Sequence, residues 1–369
     1  MRKIKILHII KSLGRGGAEM LLPETLKLHN KSKFEFHFIY FLPWKNQMVA
    51  EIETNGGEVA CLSAKNNIQL MGKAFQVIVY CKQNDIDLIH CHLPWAGFLG
   101  RLVHFRTKIP LVYTEHNMQE RYHPITKTLN KVTFNSQSRA FGVSEDVSNS
   151  IKKNIQPKIP IKTILNGVNT EKYIHDSEDR SVRELHNIPE DAFVIGLVSV
   201  FRFQKRIKEW LQIFKKFSET NNNVYGLIVG AGPLEDEIME ELGRLELKDK
   251  VILPGLQENT IPFFNAMDVF MMSSSFEGLP IALLEAMSME CAVVSTDAGG
   301  IKEVIRDGVD GITVPVEDWS NLTNKLDILA KNPDLLKKYQ TAARKRVVEA
   351  FSLMAMVENL ENEYLYLTK

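Results

Sequence analysis

The chain lacks a long apolar run, a disulfide framework and a net charge. None of its 369 residues belong to an uninterrupted apolar stretch of the roughly 18–20 residues a bilayer span needs. The opening segment, residues 4–10, is broken by Lys5 and His8 and followed by Lys11, so it reads as a first strand, not as a signal peptide. The four cysteines, Cys61, Cys81, Cys91 and Cys291, form no CxxC pair and no framework spacing. That excludes a disulfide-stapled scaffold and points to a reduced, cytoplasmic setting. No short repeat or low-complexity segment is present, which excludes a solenoid or an array. Lys and Arg number 45 and so do Asp and Glu, but the balance conceals a division. Residues 1–172 hold 24 basic against 13 acidic side chains, an excess of 11, and the remainder holds the opposite excess. A basic half fits an anionic partner, either a phosphate-bearing acceptor or an anionic membrane surface, although scattered lysines also simply solvate helix faces. Nucleic acid is not indicated, because no recognition motif accompanies the charge.

What is present is ordinary for soluble proteins, 44% hydrophobic and 24% charged residues, in a chain long enough for two domains with separate cores. Strand-length apolar runs at 4–10, 34–40, 59–62, 88–91, 111–114 and 140–143 alternate with helical patterns at 18–30, 68–84 and 144–153. The rhythm repeats, with strands at 193–200, 225–229, 251–253, 269–272, 292–295 and 311–314. Helices are expected at 205–220, 234–245, 281–289, 319–330 and 352–369. This is an α/β chain with two doubly wound parallel sheets. The polar, charged stretch 166–192, opened by Asn166-Gly167, is expected to link the two cores. In such folds ligands bind at the carboxyl ends of the strands.

Several motifs fall at expected strand ends. Glu277 and Glu285 flank a Gly-Leu-Pro turn and a helix start. Helix starts gather unpaired N–H groups and can hold a diphosphate, with Pro280 near the first helical position. The carboxylates repel phosphate and suit sugar and ribose hydroxyls, as a nucleotide-sugar site requires; the plain alternative is a surface helix. Arg202 and Lys205 follow the first strand of the second half and can clamp a diphosphate. The loop from Ser12 to Glu19, with Gly16 and Gly17, lets backbone approach a ligand. It matches neither the dinucleotide fingerprint nor the P-loop. Gly230-Ala231-Gly232-Pro233 either lines the same site or makes a tight strand-to-helix turn. His116 lies just past a strand end, placed to bond a sugar hydroxyl or to serve structurally. His90-Cys91-His92 puts two imidazoles on one strand face, but no spacing suggests a third ligand, so packing is favoured over a metal.

Taken in order, these pieces resemble family 4 of the glycosyltransferases, of GT-B fold, across nearly the whole chain. The resemblance rests on Gly16-Gly17-Ala18-Glu19, Thr114-Glu115-His116, Asn166-Gly167-Val168, Arg202 with Lys205, Glu277 with Glu285, and Gly299-Gly300 leading to Asp310-Gly311. It implies two Rossmann-like domains facing across a cleft, 1–170 on the acceptor side and 171–350 on the donor side. A final helix, 351–369, would pack back toward the first. It implies retaining, metal-independent transfer of a sugar from a nucleotide donor, UDP-linked in most of the family, to a glycan or lipid-linked acceptor, with no cofactor. By that analogy Arg202 and Lys205 offset the leaving diphosphate. Backbone at Gly278, Leu279, Ile281 and Ala282 holds phosphate or sugar. Glu277 contacts the sugar and Glu285 the ribose. His116 sits on the sugar side, Gly17 near the phosphates, and Gly16, Gly230 and Leu256 line the donor.

The chain departs from the family twice. Val200 stands where an arginine is usual, leaving Arg202 to act from a shifted loop or Lys205 to act alone. Pro280, in a slot often held by glycine, donates no N–H. Asp85-Ile86-Asp87 has the D-x-D form of metal-dependent sugar transferases but precedes a strand, and reads as a loop. A nucleotide-sugar epimerase or hydrolase, or a catalytically silent donor-binding partner protein, is the alternative function.

Overall fold

The computed structural model describes residues 2–369, which form two compact units. One takes the chain up to Asn166 together with Leu353–Lys369, and the other takes Gly167–Ser352. The expected divisions at 170 and 350 compare with these positions. Residues 166–192 are not a linker. Only Asn166 and Gly167 lie at the division, and the rest folds into the second unit. Tyr173, Val182 and Ile188 are buried there, and Arg183 reaches the carbonyls of Ala192 and Ala266 at 3.0 Å each. Read as a linker from its polar composition, the segment is instead a hydrogen-bonding strap over apolar anchors.

The first unit is built on seven parallel strands, β1 Ile4–Ile9, β2 Phe34–Tyr40, β3 Glu58–Cys61, β4 Leu88–His92, β5 Leu111–Glu115, β6 Arg139–Gly142 and β7 Ile161–Thr163. Their order is β3-β2-β1-β4-β5-β6-β7. Every residue of β4 and β5 is buried, as expected of central strands covered on both faces. Phe34, Phe36, Phe38, Leu88 and Phe141 share a core with Leu360 and Tyr364 of the C-terminal helix Leu353–Leu367. Glu361 of that helix accepts from the Asn30 N–H at 2.7 Å, and Glu363 pairs with Lys162 at 3.0 Å.

The second unit holds six parallel strands, β8 Phe193–Val198, β9 Val224–Val229, β10 Val251–Gly255, β11 Val269–Met272, β12 Ala292–Thr296 and β13 Ile312–Val314, in the order β10-β9-β8-β11-β12-β13. Trp210, Phe214 and Phe217 form the buried face of helix Ile207–Ser218, and the Trp210 indole donates to the Met271 carbonyl at 3.1 Å. Each sheet reverses its strand order once, at β1/β4 and at β8/β11, and such switch points open a crevice beyond the strand ends.

Local differences from the sequence reading have physical causes. The helix expected over 68–84 breaks at Gly72 into Asn67–Met71 and Ala74–Gln83. The one expected from 205 begins at Ile207, because Phe203–Lys205 is a 3-10 turn and Arg206 is left-handed at φ 50°. Pro280 caps its helix, which starts at Ile281. Strand β7 and the helices Pro94–Thr107, Pro124–Thr133 and Pro333–Ala350 had no counterpart in that reading.

Candidate active site

In the second unit the chain leaves β8 and passes over the turn that follows β9. Ser199 N–H donates to Val229 O and Phe201 N–H to Ala231 O, both at 3.0 Å. A Cβ on Gly230, which has φ 139°, would sit 1.9 Å from Ser199 O, and one on Gly232 would sit 2.6 Å from Phe201 N. These glycines therefore let backbone meet backbone, and so place the segment carrying Arg202 and Lys205.

That segment is then tied to the loop after β11. Gln204 O accepts the Ser275 N–H at 2.8 Å, and Ser273 Oγ donates to the carbonyls of Lys205 and Arg206 at 3.1 and 2.8 Å. The Lys205 ammonium meets Glu277 Oε1 at 2.6 Å, where Ser274 Oγ also donates at 2.7 Å. Thr296 Oγ1 donates to Ser274 O at 2.6 Å. The backbone of Glu277 rests on Gly299, whose φ is 56° and whose added Cβ would lie 2.1 Å from Glu277 O. Sequence reasoning gave no role to Ser273, Ser274, Ser275, Thr296 or Gly299. The Ser-Ser-Ser run directly after the apolar strand Val-Phe-Met-Met was the available signal, since buried hydroxyls need nearby partners.

The structure thus joins Lys205 and Glu277 directly, on loops leaving β8 and β11 at the switch point. Glu285 lies one helical turn inside Ile281–Ser288 and is buried, while Gly278, Ile281 and Ala282 are half-buried and Leu279 is buried. The first N–H groups of any helix have no partner within it. Arg202 is exposed, with no partner for its guanidinium among the described residues, and Leu256, just past β10, is 58% exposed. Neither is brought into contact with Glu277.

In the first unit, the loop after β1 folds over Glu19. Ser12 Oγ donates to Glu19 Oε1 at 2.9 Å, and a Cβ on Gly16 would lie 2.4 Å from Glu19 Oε2. Gly17 begins helix Gly17–Leu28. At the end of β5, Glu115 is fully buried and gathers the Tyr113 hydroxyl at 2.8 Å, the Gln119 amide, the Tyr122 hydroxyl and the N–H groups of His116 and Asn117. Burial raises its pKa against those donors, which lower it. Five donors on one carboxylate fix the backbone that carries His116.

His116 is half-buried and, with its pKa drawn down by burial to about 4, is neutral. His92 Nδ1 lies 3.4 Å from its Nε2, and His8 Nδ1 lies 2.9 Å from His92 Nε2. The expectation that His90 and His92 lack a third imidazole is corrected. Strand β1 runs beside β4 with His8 opposite His90, and one nitrogen from each of His8, His90 and His92 falls within 4.8 Å of the others. Metal ligation needs converging lone pairs, however. Both His90 nitrogens are held, by Tyr364 OH at 2.7 Å and Thr114 Oγ1 at 2.6 Å, and its ring stacks on His92 at 4.2 Å. Asp85-Ile86-Asp87 is a turn whose Asp87 accepts from the Lys5 N–H at 2.9 Å.

Two parallel sheets of this topology, each with polar side chains grouped beyond its switch point, define a glycosyltransferase of GT-B architecture once they are compared with known proteins. Residues 15–172 match the family model described as Glycosyltransferase Family 4, and residues 178–346 match Glycosyl transferases group 1. The chain belongs to glycosyltransferase family 4. It is 25% identical to the putative glycosyltransferase EpsD of Bacillus subtilis, over 94% of this chain and 96% of that protein. It is 24% identical to the capsular polysaccharide biosynthesis glycosyltransferase CapM of Staphylococcus aureus, over 99% and 97%. It shares the fold of Anabaena HepE, solved with UDP and glucose, at a TM-score of 0.88 and 20% identity over 98% of this chain and 100% of that one.

Proposed function

We propose that the enzyme transfers a sugar from a UDP-sugar, with retention and without a metal ion, to a polysaccharide or lipid-linked acceptor. The observation that carries this reading is the Lys205–Glu277 pair at the β8/β11 switch point. Departure of a nucleoside diphosphate builds negative charge, which a fixed cation and oriented N–H groups stabilise most in the transition state. With Lys205 turned to phosphate, Glu277 is released to accept from sugar hydroxyls. Arg202 adds charge from its exposed turn. The N–H groups at Gly278, Ile281 and Ala282 hold phosphate or sugar, and Glu285 takes the ribose. Gly16, Gly17, Gly230, Leu279 and Leu256 complete the donor's surroundings. His116 bonds the sugar. In a front-face step the acceptor oxygen bonds to C1 as the C1–phosphate oxygen bond breaks, and the leaving phosphate takes the acceptor's proton. No separate protein base is then required.

The acceptor class is supported by relatives: CapM acts in capsular polysaccharide biosynthesis, and a 25%-identical Campylobacter jejuni enzyme adds N-acetylgalactosamine to a diphospho-undecaprenol-linked sugar. A cytoplasmic enzyme resting on the inner membrane face fits the basic first half and its exposed Ile125, Leu129 and Val132, spaced along one face of helix Pro124–Thr133. Among the described residues no helix is long and apolar enough to cross a membrane.

A thermal-shift screen of nucleotide sugars tests the donor, because a ligand that binds the native state raises its stability. UDP-sugars are expected to stabilise most, and stabilisation by GDP- or ADP-sugars alone would reassign the nucleotide. Transfer assayed with chelator is expected to be undiminished, and the product anomer by NMR to match the donor's. Release of free sugar or an epimer without acceptor, in place of transfer, would favour the hydrolase or epimerase.

A further inference from the structure

The mechanism leaves unused the buried imidazoles behind His116. β1, β4 and β5 are neighbours in the sheet, and alternate residues on a strand share a face. His8 and His92 therefore stand in a row that ends at His116, with N···N separations of 2.9 and 3.4 Å. The His8 and His92 rings are inclined by only 14°, so they meet edge to edge, as an N–H···N bond requires. His92 cannot turn, because His90 stacks on it and is itself pinned by Thr114 and Tyr364. Leu21, Leu22, Phe141 and Met356 wall the adjoining cavity, whose free volume of about 20 Å³ leaves room for little more than one water.

We propose that His92, held from behind by His8, is a positioning residue that locks the tautomer of His116 to its own and turns His116 Nδ1 outward to the ligand. The transfer consequence rests on the proposed contact of His116 with the sugar; the lock itself does not. A neutral imidazole has one donor and one acceptor. A row of three therefore has two internally consistent proton arrangements, and both spend His116 Nε2 on His92. No protein partner for His116 Nδ1 is found among the described residues. The titratable groups facing the row are His90 on β4, His29 after helix Gly17–Leu28 and Tyr364 on the C-terminal helix. Burial lowers the pKa of His8, His90 and His92 as it does that of His116, so the row stays neutral and its proton order is preserved.

The test is side-chain 15N NMR of histidine-labelled full-length protein. Wild-type His116 is expected to stay neutral between about pH 8 and about pH 5.5, with the same tautomer populations as His8 and His92. His92→Phe, which fills the space without a hydrogen bond, is expected to move the His116 tautomer populations away from the wild-type values and to lower turnover about tenfold. His92→Asn, which restores a polar atom near Nδ1, is expected to recover much of both. His8→Phe leaves β4 untouched and is expected to shift the His116 resonances in the same sense but less, and no shift would remove His8 from the row. An unchanged His116 spectrum in His92→Phe overturns the proposal whatever happens to activity. An altered spectrum with full turnover keeps the lock and overturns the sugar-side role of His116 instead. If His92→Phe does not fold, His92→Asn and His8→Phe carry the same readouts.

Discussion

Lys205 Nζ sits 2.6 Å from Glu277 Oε1, so two side chains assigned to different parts of a donor neutralise each other when none is bound. Both are largely buried, at 16% and 10% side-chain exposure. Breaking such a pair by removing one partner leaves an uncompensated charge. Lys205→Ala and Glu277→Ala are each expected to cut transfer at least tenfold, about 1.4 kcal/mol of barrier. The double variant is expected to lose less than the sum of the two, because the residues act as a unit. Steady-state rates on the four proteins of the cycle decide it: near wild-type rates in both single variants would refute the assignment, and strict additivity would uncouple the pair.

Gly299 is fixed by the Glu277 carbonyl in the same way that Gly230 is fixed by Ser199. An alanine at 299 would need a φ of 56° and would place its Cβ 2.1 Å from backbone oxygen. That oxygen belongs to the chain and cannot rotate aside as a flexible side-chain tip can. Gly299→Ala is expected to cost about 1–3 kcal/mol of stability and to displace Glu277, so donor binding weakens together with the melting temperature. A variant that melts lower but binds UDP-sugar as wild type would show that the Glu277 loop is positioned by Ser274 and Ser275 instead.

The β-α alternation was legible because central parallel strands are buried on both faces and read as apolar runs, as in β11. The Glu277 and Lys205 loops were legible because charged and glycine-rich segments follow such runs. What could not be read was contact across the sheet. That His8 faces His90 depends on β1 lying beside β4, a strand order no local pattern encodes. Pairing of Lys205 with Glu277, 72 residues apart, depends likewise on β8 lying beside β11. The amphipathic helix Pro124–Thr133 went unread because its exposed Ile125 and Val132 break the usual polar outer face.

The buried histidines give the first unit an acid limit. Burial lowers the pKa of His8 to about 3 and of His116 to about 4, and lowers His90 and His92 well below the ordinary value. Unfolding exposes them to water, where they titrate near 6.5. Above that value neither state binds the proton and their stabilisation is complete. As pH falls toward 4 the unfolded chain takes up protons that the folded chain refuses, and stability declines by up to about 1.4 kcal/mol per pH unit for each group. Unfolding midpoints measured from neutral pH downward are expected to fall steeply below about pH 6. His8→Phe is expected to flatten the slope by up to one proton; an equal slope would place the acid limit elsewhere.

Helix Pro124–Thr133 predicts a membrane response. Ile125 and Val132 are 61% and 76% exposed, and Lys127 and Lys131 lie on the same helix. Lysines attract anionic lipid within a Debye length, and the apolar row supplies burial into the interface. The protein is expected to sediment with anionic vesicles at low salt and to be released as salt rises, with Ile125→Ser and Val132→Ser weakening binding and leaving turnover on a soluble acceptor intact. Absence of binding at low salt would remove the surface assignment.

Arg202 marks one of the two departures read from the sequence, with Val200 where the resemblance places an arginine. The turn that carries Arg202 is held firmly, since Gln204 O is bonded to Ser275 and the Lys205 N–H returns to Arg202 O at 3.0 Å. Its guanidinium is exposed and is therefore not consumed by a structural ion pair, as Lys205 is by Glu277. A guanidinium on a rigid turn loses little entropy in forming a bidentate phosphate contact. Arg202→Ala is therefore expected to weaken UDP binding about three- to tenfold by calorimetry, about the net worth of one ordinary hydrogen bond, with stability unchanged. Arg202→Lys is expected to restore only part, because a point charge replaces a fork. Unchanged affinity in Arg202→Ala would leave the diphosphate to Lys205 and the helix N–H groups, and Val200 would then mark a true loss of the second cation.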